Sequence, residues 1–421
     1  MDYQTINTNG YNLYVMPSDK FSTVTVDLKF RKLIKKEDIT KLLFLKQLLF
    51  RNNKVYPTAR DVHIASEDNY VSRFDGYSNI SGNYISLGFH MSYINDKYTN
   101  EDVSHKALLF MLDLVCKPDF FKQSEMDIVA SDLENDILSL KEEPGAYAYH
   151  QLIDMMEPNS VFSYSEVGYL EDLKAITKED LYNYYMSFLS SEQLDIFVLG
   201  DVESSAIKDV FDTYFTNRTN QIYRDSPYLI NNLESSVKYG REAIVTNQSK
   251  LTLGFKYGIL TEHEHEIILP LMVLIYGGGA DGKLFKVVRE KYSLCYNISA
   301  SFNKINNFVY VMAGISASKY QQALDLSLME LTNIQNGLVS DEELHSAKKT
   351  IIEGHRNLLD NPMSTLGIIQ KGVYYNKLSI EQQDELIAKV TIEEIVAISK
   401  KIQLDTVFLL EGVASNEETN I

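Results

Sequence analysis

Two stretches of the chain repeat one another, and they decide how the fold is divided. The first half contains EMDIVASDLENDILSLKEEP, from Glu125 to Pro144, and the second half contains ELHSAKKTIIEGHRNLLDNP, from Glu343 to Pro362. The offset is the same at both ends, since 343 − 125 and 362 − 144 are both 218. Apolar residues recur in each stretch with the period of an α-helix, and each closes on a proline that resists helix continuation. The repeat predicts two homologous domains.

A second pair of similar segments follows the first pair in the same order. Thr177 to Leu181 reads TKEDL and leads to LDIFVLGDV, and Thr391 to Ile395 reads TIEEI and leads to LDTVFLLEGV. A threonine followed by acidic residues suits a helix N-cap and the positive end of the helix dipole. The offset between the two threonines, 391 − 177 = 214, differs from 218 by only a few residues. Differences in loop length account for such a drift.

The position of the repeats predicts the domain boundaries. We expect an N-terminal domain over 1–215, a linker over 216–242 and a C-terminal domain over 243–421. The linker stretch is polar, lacks clear periodicity and contains Pro227, which is typical of a connection between domains. A chain of 421 residues is long enough for two or three domains.

Within each half, strand patterns intermingle with helix patterns. We predict that Tyr11–Met16 and Thr23–Phe30 are paired strands and that Asp38–Phe50 is a helix. In the second half, Leu294–Phe302 and Phe308–Ile315 read as a hairpin of strands. Antiparallel strands mixed with helices indicate the α+β class. The predicted fold is therefore two homologous α+β domains, each an antiparallel sheet packed with helices.

Composition and charge exclude several classes of protein. The chain has 40 basic and 58 acidic residues, for a net charge of −18, and it lacks the basic run that phosphate contacts require of a nucleic-acid binder. No apolar run reaches the ~18 residues of a membrane span, and the N-terminus MDYQTINTNG does not resemble a secretory signal. The two cysteines, Cys116 and Cys295, are expected to be reduced thiols. We therefore predict a cytoplasmic protein without nucleic-acid or membrane partners.

Common chemical motifs are scarce. Neither H-E-x-x-H nor H-x-x-E-H occurs. His263 and His265 would share one face of a strand and grip a metal there, but their place just before a helix favours an exposed polar terminus. The stretch GGGADG, from Gly277 to Gly282, lacks the Lys-Ser/Thr of a phosphate-binding loop. Its glycines suit either a tight turn or a loop whose backbone approaches a ligand closely.

The region around this loop resembles a known family. Gly277 to Tyr296 reads GGGADGKLFKVVREKYSLCY and is similar to the C-terminal domain of the smaller pitrilysin-like (M16) metallopeptidases. These proteins carry a small-residue loop, then Leu-Phe, Arg-Glu-Lys and Leu-x-Tyr. The resemblance covers nearly the whole chain and implies a clam-like pair of domains. It extends to a non-catalytic bacterial branch associated with modification of elongation factor P, through YPTARDV from Tyr56 to Val62.

The resemblance also shows which residues stand where the family binds zinc. The family motif is H-x-x-E-H on an early helix, where positions i and i+4 share a face. Here Leu43 takes the first histidine position, Lys46 the glutamate and Gln47 the second histidine, and Asp132 falls near the third ligand. An ammonium group beside a dication is repulsive, and one carboxylate cannot hold a catalytic zinc. We predict that this chain binds no metal or other cofactor and hydrolyses no peptide alone.

The substrate-gripping half of the family's site is retained. The family uses an arginine and a tyrosine of the C-terminal domain to hold the substrate and stabilise the oxyanion, and these match Arg289 and Tyr296. Related two-subunit peptidases touch the substrate with a glycine-rich loop, which here supplies Gly277, Gly278, Gly279 and Gly282. The resemblance thus implies a zinc-free subunit of a heterodimeric peptidase, paired with a zinc-bearing homologue that cleaves small peptides.

Two alternatives remain open from the sequence. In the first, the chain is a non-catalytic peptide-binding or scaffolding protein that serves peptide maturation or modification. In the second, it is a lone metallopeptidase that uses unusual ligands such as His263 and His265. Metal content and the identity of the partner separate these alternatives from the heterodimer.

Overall fold

The computed structural model describes residues 3–118, 122–226, 228, 233, 236–375 and 377–413. These residues form two compact units. Unit 1 comprises Met1–Leu138, Ser165–Ser226 and Leu358–Lys377, and unit 2 comprises Ser139–Tyr164, Pro227–Asn357 and Leu378–Ile421. Each unit is therefore built from separate stretches of sequence.

The strands of the described residues form one sheet in each unit. They are β1 Gln4–Asn7, β2 Asn12–Pro17, β3 Thr23–Leu33, β4 Val71–Ser81, β5 Tyr84–Ile94, β6 Gln193–Gly200, β7 Lys238–Val245, β8 Ser249–Tyr257, β9 Cys295–Asn303, β10 Phe308–Ile315 and β11 Ile402–Val413.

The helices are distributed between the two units. They are α1 Lys36–Leu48, α2 Ala59–Asp68, α3 Val103–Cys116, α4 Gln123–Ser139, α5 Pro144–Met156, α6 Leu170–Ala175, α7 Lys178–Ser191, α8 Ser204–Phe215, α9 Leu269–Gly277, α10 Tyr320–Gln335, α11 Asp341–Leu358, α12 Pro362–Tyr375, α13 Ile380–Lys389 and α14 Ile392–Ser399. Two further segments, Glu264–Ile268 and Phe285–Lys291, are π-helical.

The two sheets share one topology. The first runs β1-β2-β6-β3-β5-β4 and the second runs β7-β11-β8-β10-β9. In each sheet the last strand in sequence, β6 or β11, pairs in parallel on one side and antiparallel on the other. The order of the second sheet thus matches that of the first from β2 onward. The α+β class and the two homologous sheets predicted from the repeat are confirmed.

The predicted pairing of the first two strands is wrong. β2 and β3 are both strands, but β6 lies between them in the sheet. The fully buried strand β6 gains apolar contacts on both faces in this central position, and a local hairpin between β2 and β3 would exclude it. The hairpin predicted in the second half is present, since β9 pairs antiparallel with β10.

One face of each sheet is covered by a helix that comes from the other half of the sequence. In unit 2 that helix is α5, whose Leu152 and Met156 form one buried cluster with Phe308, Phe408 and Leu410. In unit 1 it is α12, whose Leu366 and Ile369 form a smaller cluster with Met16, Phe197 and Leu199. The opposite face of the second sheet packs on α9, α10 and α14.

The prolines that close the two repeat stretches explain where these covering helices begin. Pro144 and Pro362 are the first residues of α5 and α12, a position that tolerates proline because its N–H has no intrahelical acceptor. The predicted boundaries at 1–215, 216–242 and 243–421 divide the chain by its sequence repeat, and they stay a prediction. The two units are defined instead by which residues pack together. Strand β7 begins at Lys238, inside the stretch predicted as linker.

Candidate functional site

The sequence-predicted residues Arg289 and Tyr296 lie on two consecutive elements of unit 2. Arg289 belongs to the π-helical segment Phe285–Lys291, and Tyr296 is the second residue of β9. Between them the chain turns through Ser293, whose φ of 51° lies in the left-handed region. The turn is closed by N–H groups of Tyr292 and Leu294 that donate to Val287 and Val288 carbonyls at 3.1 and 3.0 Å. Single π-helical turns are frequent at functional sites.

A β-bulge exposes the tyrosine. On β10, Gly314 pairs with Asn297 and Ile315 pairs with Cys295, so Tyr296 is the extra residue of the bulge. Its side chain is 84% exposed, while Cys295 on the preceding position packs against the core. Bulges at sheet edges re-aim side chains in this way, and β9 is an edge strand.

Arg289 is exposed, and its side chain packs on a residue of the same π-helical segment. Its guanidinium lies 4.4 Å from the centroid of the Phe285 ring, a cation–π distance. Partial burial raises the pKa of the Cys295 thiol, and the positive charge of Arg289 opposes that rise. Arg289 is therefore close enough to Cys295, the neighbour of Tyr296, for its charge to be felt there. The two consecutive elements thus present a permanent cation and a phenolic O–H donor, both exposed.

The glycine-rich loop divides into buried and exposed residues. Gly277 and Gly282 are buried and packed together, because a Cβ on Gly282 would lie 2.7 Å from the Gly277 Cα. The N–H of Gly282 donates to the Gly279 carbonyl at 3.0 Å, which makes a tight turn. Gly278 and Gly279 are exposed, and a Cβ on Gly279 would meet nothing within 4 Å. Of the four predicted substrate-binding glycines, these two have backbone that a ligand can approach.

Two cavities adjoin the loop. The smaller has a volume of 230 Å³ and lies between Gly278–Gly282 and the helix α11, against Ala347 and Thr350. The larger has a volume of 640 Å³ and is lined by Lys283, Lys286 and the turn before α11. Both share Glu343, which accepts a bond from Lys283 Nζ at 2.8 Å. Sequence reasoning missed this pair, since its members lie 60 residues apart and belong to no motif.

The positions that match the zinc motif lie in unit 1 and do not fit the metal. Leu43 is buried and has no donor atom, and Lys46 and Gln47 are half-buried on the same helix, α1. Asp132 is exposed on α4. Zinc in proteins is bound by thiolate, imidazole and carboxylate groups, and this set offers one carboxylate. Over the described ranges, no cluster of three or more His, Cys, Asp or Glu side chains is arranged to hold a metal.

The two histidines considered as unusual ligands have separate partners. His265 places Nε2 at 3.1 Å from both the Lys304 carbonyl and Asn307 Oδ1, whereas His263 Nε2 lies 3.5 Å from Glu394. Both residues are helical rather than extended, and positions i and i+2 of a helix do not share a face. The pair therefore does not converge on one point.

Comparisons with known proteins agree with the fold and include proteins described as inactive. Residues 175–351 match the model described as Peptidase M16 inactive domain. The chain is 25% identical over 414 residues to the probable inactive metalloprotease YmfF of Bacillus subtilis (strain 168), with 96% of each protein covered.

Solved structures show the same architecture over almost the whole chain. A conserved protein from Enterococcus faecalis V583 superposes with a TM-score of 0.93 at 26% identity, covering 99% of this chain and all of that one. A peptidase M16 inactive domain from Pseudomonas fluorescens gives a TM-score of 0.78 at 16% identity, with 99% and 100% coverage. No helix in the described part of the sequence has the length and apolar character needed to cross a bilayer. On these matches the chain has the fold of M16-type proteins and is similar to inactive members of that group.

Proposed function

We propose that this chain is the zinc-free subunit of a heterodimeric M16-type peptidase of the cytoplasm. A zinc-bearing homologue supplies the metal, the water and the general base, and this chain supplies Arg289 and Tyr296 in trans. The observation that carries the proposal is the exposed tyrosine on a bulge, directly after a π-helical turn that bears an exposed arginine. The substituted positions Leu43, Lys46 and Gln47 support the absence of zinc from this subunit.

The two side chains suit distinct tasks at a scissile peptide bond. A tyrosine O–H donates to the oxygen on which negative charge develops, and an arginine fork binds carbonyl or carboxylate oxygens with a permanent charge. The backbone of Gly278 and Gly279 is exposed, so its N–H and C=O groups can form hydrogen bonds with the main chain of the same peptide. The suggested association with modification of elongation factor P remains a prediction about the pathway that provides the peptide.

The proposal is tested by co-expressing the chain with a zinc-bearing M16-type protein of the same organism and measuring hydrolysis of a peptide library. Removing one oxyanion donor costs about 10²–10³ in kcat, so Tyr296→Phe should lower kcat by about that factor. Arg289→Ala should mainly raise KM. The isolated chain should show no hydrolysis with or without added zinc.

Matched controls exist on the same elements. Lys291→Ala removes an exposed cation from the same π-helical segment, and Tyr292→Phe removes an exposed phenol four residues from Tyr296. Both should leave kcat and KM within about twofold of the wild-type values, well below the effect of losing an oxyanion donor. Equal rates for the wild-type complex and the Arg289→Ala and Tyr296→Phe complexes would contradict the proposal. A complex that binds peptide without cleaving it would favour the scaffolding alternative.

A further inference from the structure

The outer edge of β7 is unlike the other sheet edges formed by the described residues. β1 is only four residues long, and β4 and β9 are each interrupted by a bulge near their first residues. Short length and bulges are devices by which proteins prevent edge-to-edge pairing. β7 has eight residues in unbroken register with β11 and contains neither proline nor a bulge. It is therefore an edge that is competent to pair.

The internal repeat shows what covers the equivalent edge in unit 1. There β2 occupies the position that β7 has in unit 2, and β1 pairs antiparallel with it, from Gln4 opposite Val15 to Asn7 opposite Asn12. In the described part of unit 2 no strand lies outside β7. Among the described residues, the position beside β7 that corresponds to β1 holds no strand.

The side chains and backbone of β7 indicate what kind of strand fits. Residues alternate along the strand, with the odd-numbered ones exposed, and Tyr239 and Val245 are 65% and 68% exposed. The N–H of Thr246 donates to the Val413 carbonyl on β11 at 3.3 Å. Because backbone groups in a parallel pair alternate in direction, even-numbered residues face β11 and odd-numbered residues direct their N–H and C=O groups outward.

β7 is complementary to itself in one antiparallel register. When a two-fold axis passes through Glu242, Tyr239 lies opposite Val245 of a second copy, and Arg241 lies opposite Ala243. The two large exposed apolar side chains of β7, Tyr239 and Val245, then pack against each other at both ends of the strand pair, and Arg241 keeps its ion pair with Glu411 at 2.6 Å. Glu242, on the axis, already accepts bonds from the Tyr147 hydroxyl at 2.9 and 3.0 Å, and Lys141 lies 3.9 Å away. These contacts reduce the repulsion between the two carboxylates.

We propose that two copies of this chain associate through β7, so that their second sheets join into one continuous antiparallel sheet. The surface is separate from Arg289, Tyr296 and the glycine-rich loop in the sequence and in the sheet, since β7 and β9 form opposite edges. An eight-residue edge buries less than a standard interface of about 1,600 Å². The dimer is therefore expected at micromolar rather than nanomolar concentrations.

The experiment measures the dimer dissociation constant of the full chain by sedimentation equilibrium. Tyr239→Lys combined with Val245→Lys places like charges directly opposite each other at both ends of the shared strand pair, and should raise the constant at least about tenfold. Tyr239→Lys combined with Val245→Glu places opposite charges there, and should restore association. The two positions lie six residues apart on one strand, about 20 Å, so this rescue does not arise within one chain.

Two further variants separate the edge from general effects on folding. Ala243→Pro removes an N–H that faces outward while leaving the bonds to β11, and should abolish the dimer without loss of folded protein. Ile259→Lys changes an isolated side chain that is 93% exposed, and should leave the dissociation constant unchanged. A chain that is monomeric at every concentration, or a dimer unaffected by all three β7 variants, would overturn the proposal. So would a double lysine variant and a lysine–glutamate variant that behave alike.

Discussion

At the scale of single residues, Glu343 links the glycine-rich loop to helix α11. Its carboxylate accepts bonds from Lys283 Nζ at 2.8 Å and from the Ser340 N–H at 2.9 Å. Partial burial acts to raise the pKa of Glu343, but these two bonds and the positive charges of Lys283 and Lys286 together outweigh burial and hold the pKa below the ordinary value of 4.5. The ionised form is therefore favoured by folding, and its contribution to stability depends on pH.

The sign of that dependence gives a prediction. A carboxyl group whose pKa is lowered in the folded state stabilises the protein above its unfolded pKa, and this contribution disappears as the pH falls through the folded pKa. The difference in unfolding free energy between the wild type and Glu343→Gln should thus be largest near pH 7 and should shrink steadily below pH 4.5. Urea titrations across this range measure it, with the exposed neighbour Glu342→Gln as the control. A difference that is constant with pH would show that the ion pair contributes nothing.

The zinc prediction at this scale rests on side-chain chemistry alone. Leu43, Lys46 and Gln47 lie on one helix and offer no imidazole, thiolate or carboxylate group, so the absence of zinc from this chain stays a prediction based on the family resemblance. The partnership of Lys283 with Glu343 was not predictable, because it depends on how two helices far apart in sequence pack. The exposure of Gly279 and the burial of Gly277 were also not predictable, because the two residues are identical and lie in the same loop.

At the scale of elements, two glycines determine how α5 docks on the second sheet. A Cβ on Gly254 of β8 would lie 2.4 Å from Met156 Sδ, and a Cβ on Gly240 of β7 would lie 2.4 Å from Met155 Sδ. Both distances are shorter than contact between non-bonded atoms allows. The helix therefore rests directly on glycine backbone, with Leu152 beside it.

The close approach of Met156 to Gly254 predicts the effect of adding a methyl group at position 254. Overpacking a buried contact costs about 1–3 kcal/mol, so Gly254→Ala should lower the unfolding free energy by about that amount. The second variant, Gly254→Ala with Met156→Ala, removes the side chain that the new methyl group meets and should recover part of the loss. Gly279→Ala is the control, because a Cβ there meets no atom. Chemical denaturation measures all three, and a Gly254→Ala variant as stable as the wild type would mean that the Met156 side chain moves aside for the new methyl group.

The elements themselves were partly visible in the sequence. Alternating apolar residues predicted the β9–β10 hairpin, and helical periodicity predicted α1 and α4. The bulge at Tyr296 was invisible, because it depends on how Gly314 and Ile315 of the neighbouring strand are paired. The π-helical turn was also invisible, because it differs from an α-helix by one hydrogen-bond step and leaves the apolar spacing of FKVVREK almost unchanged.

At the scale of the whole molecule, the repeat places one buried basic and one buried acidic residue at matching positions of each unit. Phe30 pairs with Leu194 and Phe255 pairs with Leu404, so the residues that follow on each strand are equivalent. These are Arg31 and Asp195 in unit 1, and Lys256 and Asp405 in unit 2, all buried.

In both units these buried residues contact the C-terminal end of the covering helix, which is α12 in unit 1 and α5 in unit 2. The Tyr374 hydroxyl of α12 donates to Asp195 at 2.9 Å, and its ring lies 4.4 Å from the Arg31 guanidinium. In unit 2, Lys256 Nζ lies 3.2 Å from Asp405 and donates to the Met156 carbonyl of α5 at 3.1 Å. Removing a hydrogen-bond partner from a buried charged group is costly, so each unit depends on its covering helix for more than apolar contact.

The dependence predicts how the chain behaves when it is cut between its halves. A fragment of residues 1–226 lacks α12, so Phe197 and Leu199 lose the helix that covers them and Asp195 loses Tyr374. A fragment of 227–421 lacks α5 in the same way. Each fragment alone should unfold without a cooperative transition, whereas co-expression of both should yield one folded complex that unfolds cooperatively.

A fusion of 1–226 with 358–377 through a flexible linker is the control and should fold alone. Size-exclusion chromatography with thermal melts followed by circular dichroism decides the outcome, and a cooperative transition in isolated 1–226 would show that contiguous domains, rather than units built from both halves of the sequence, are what fold.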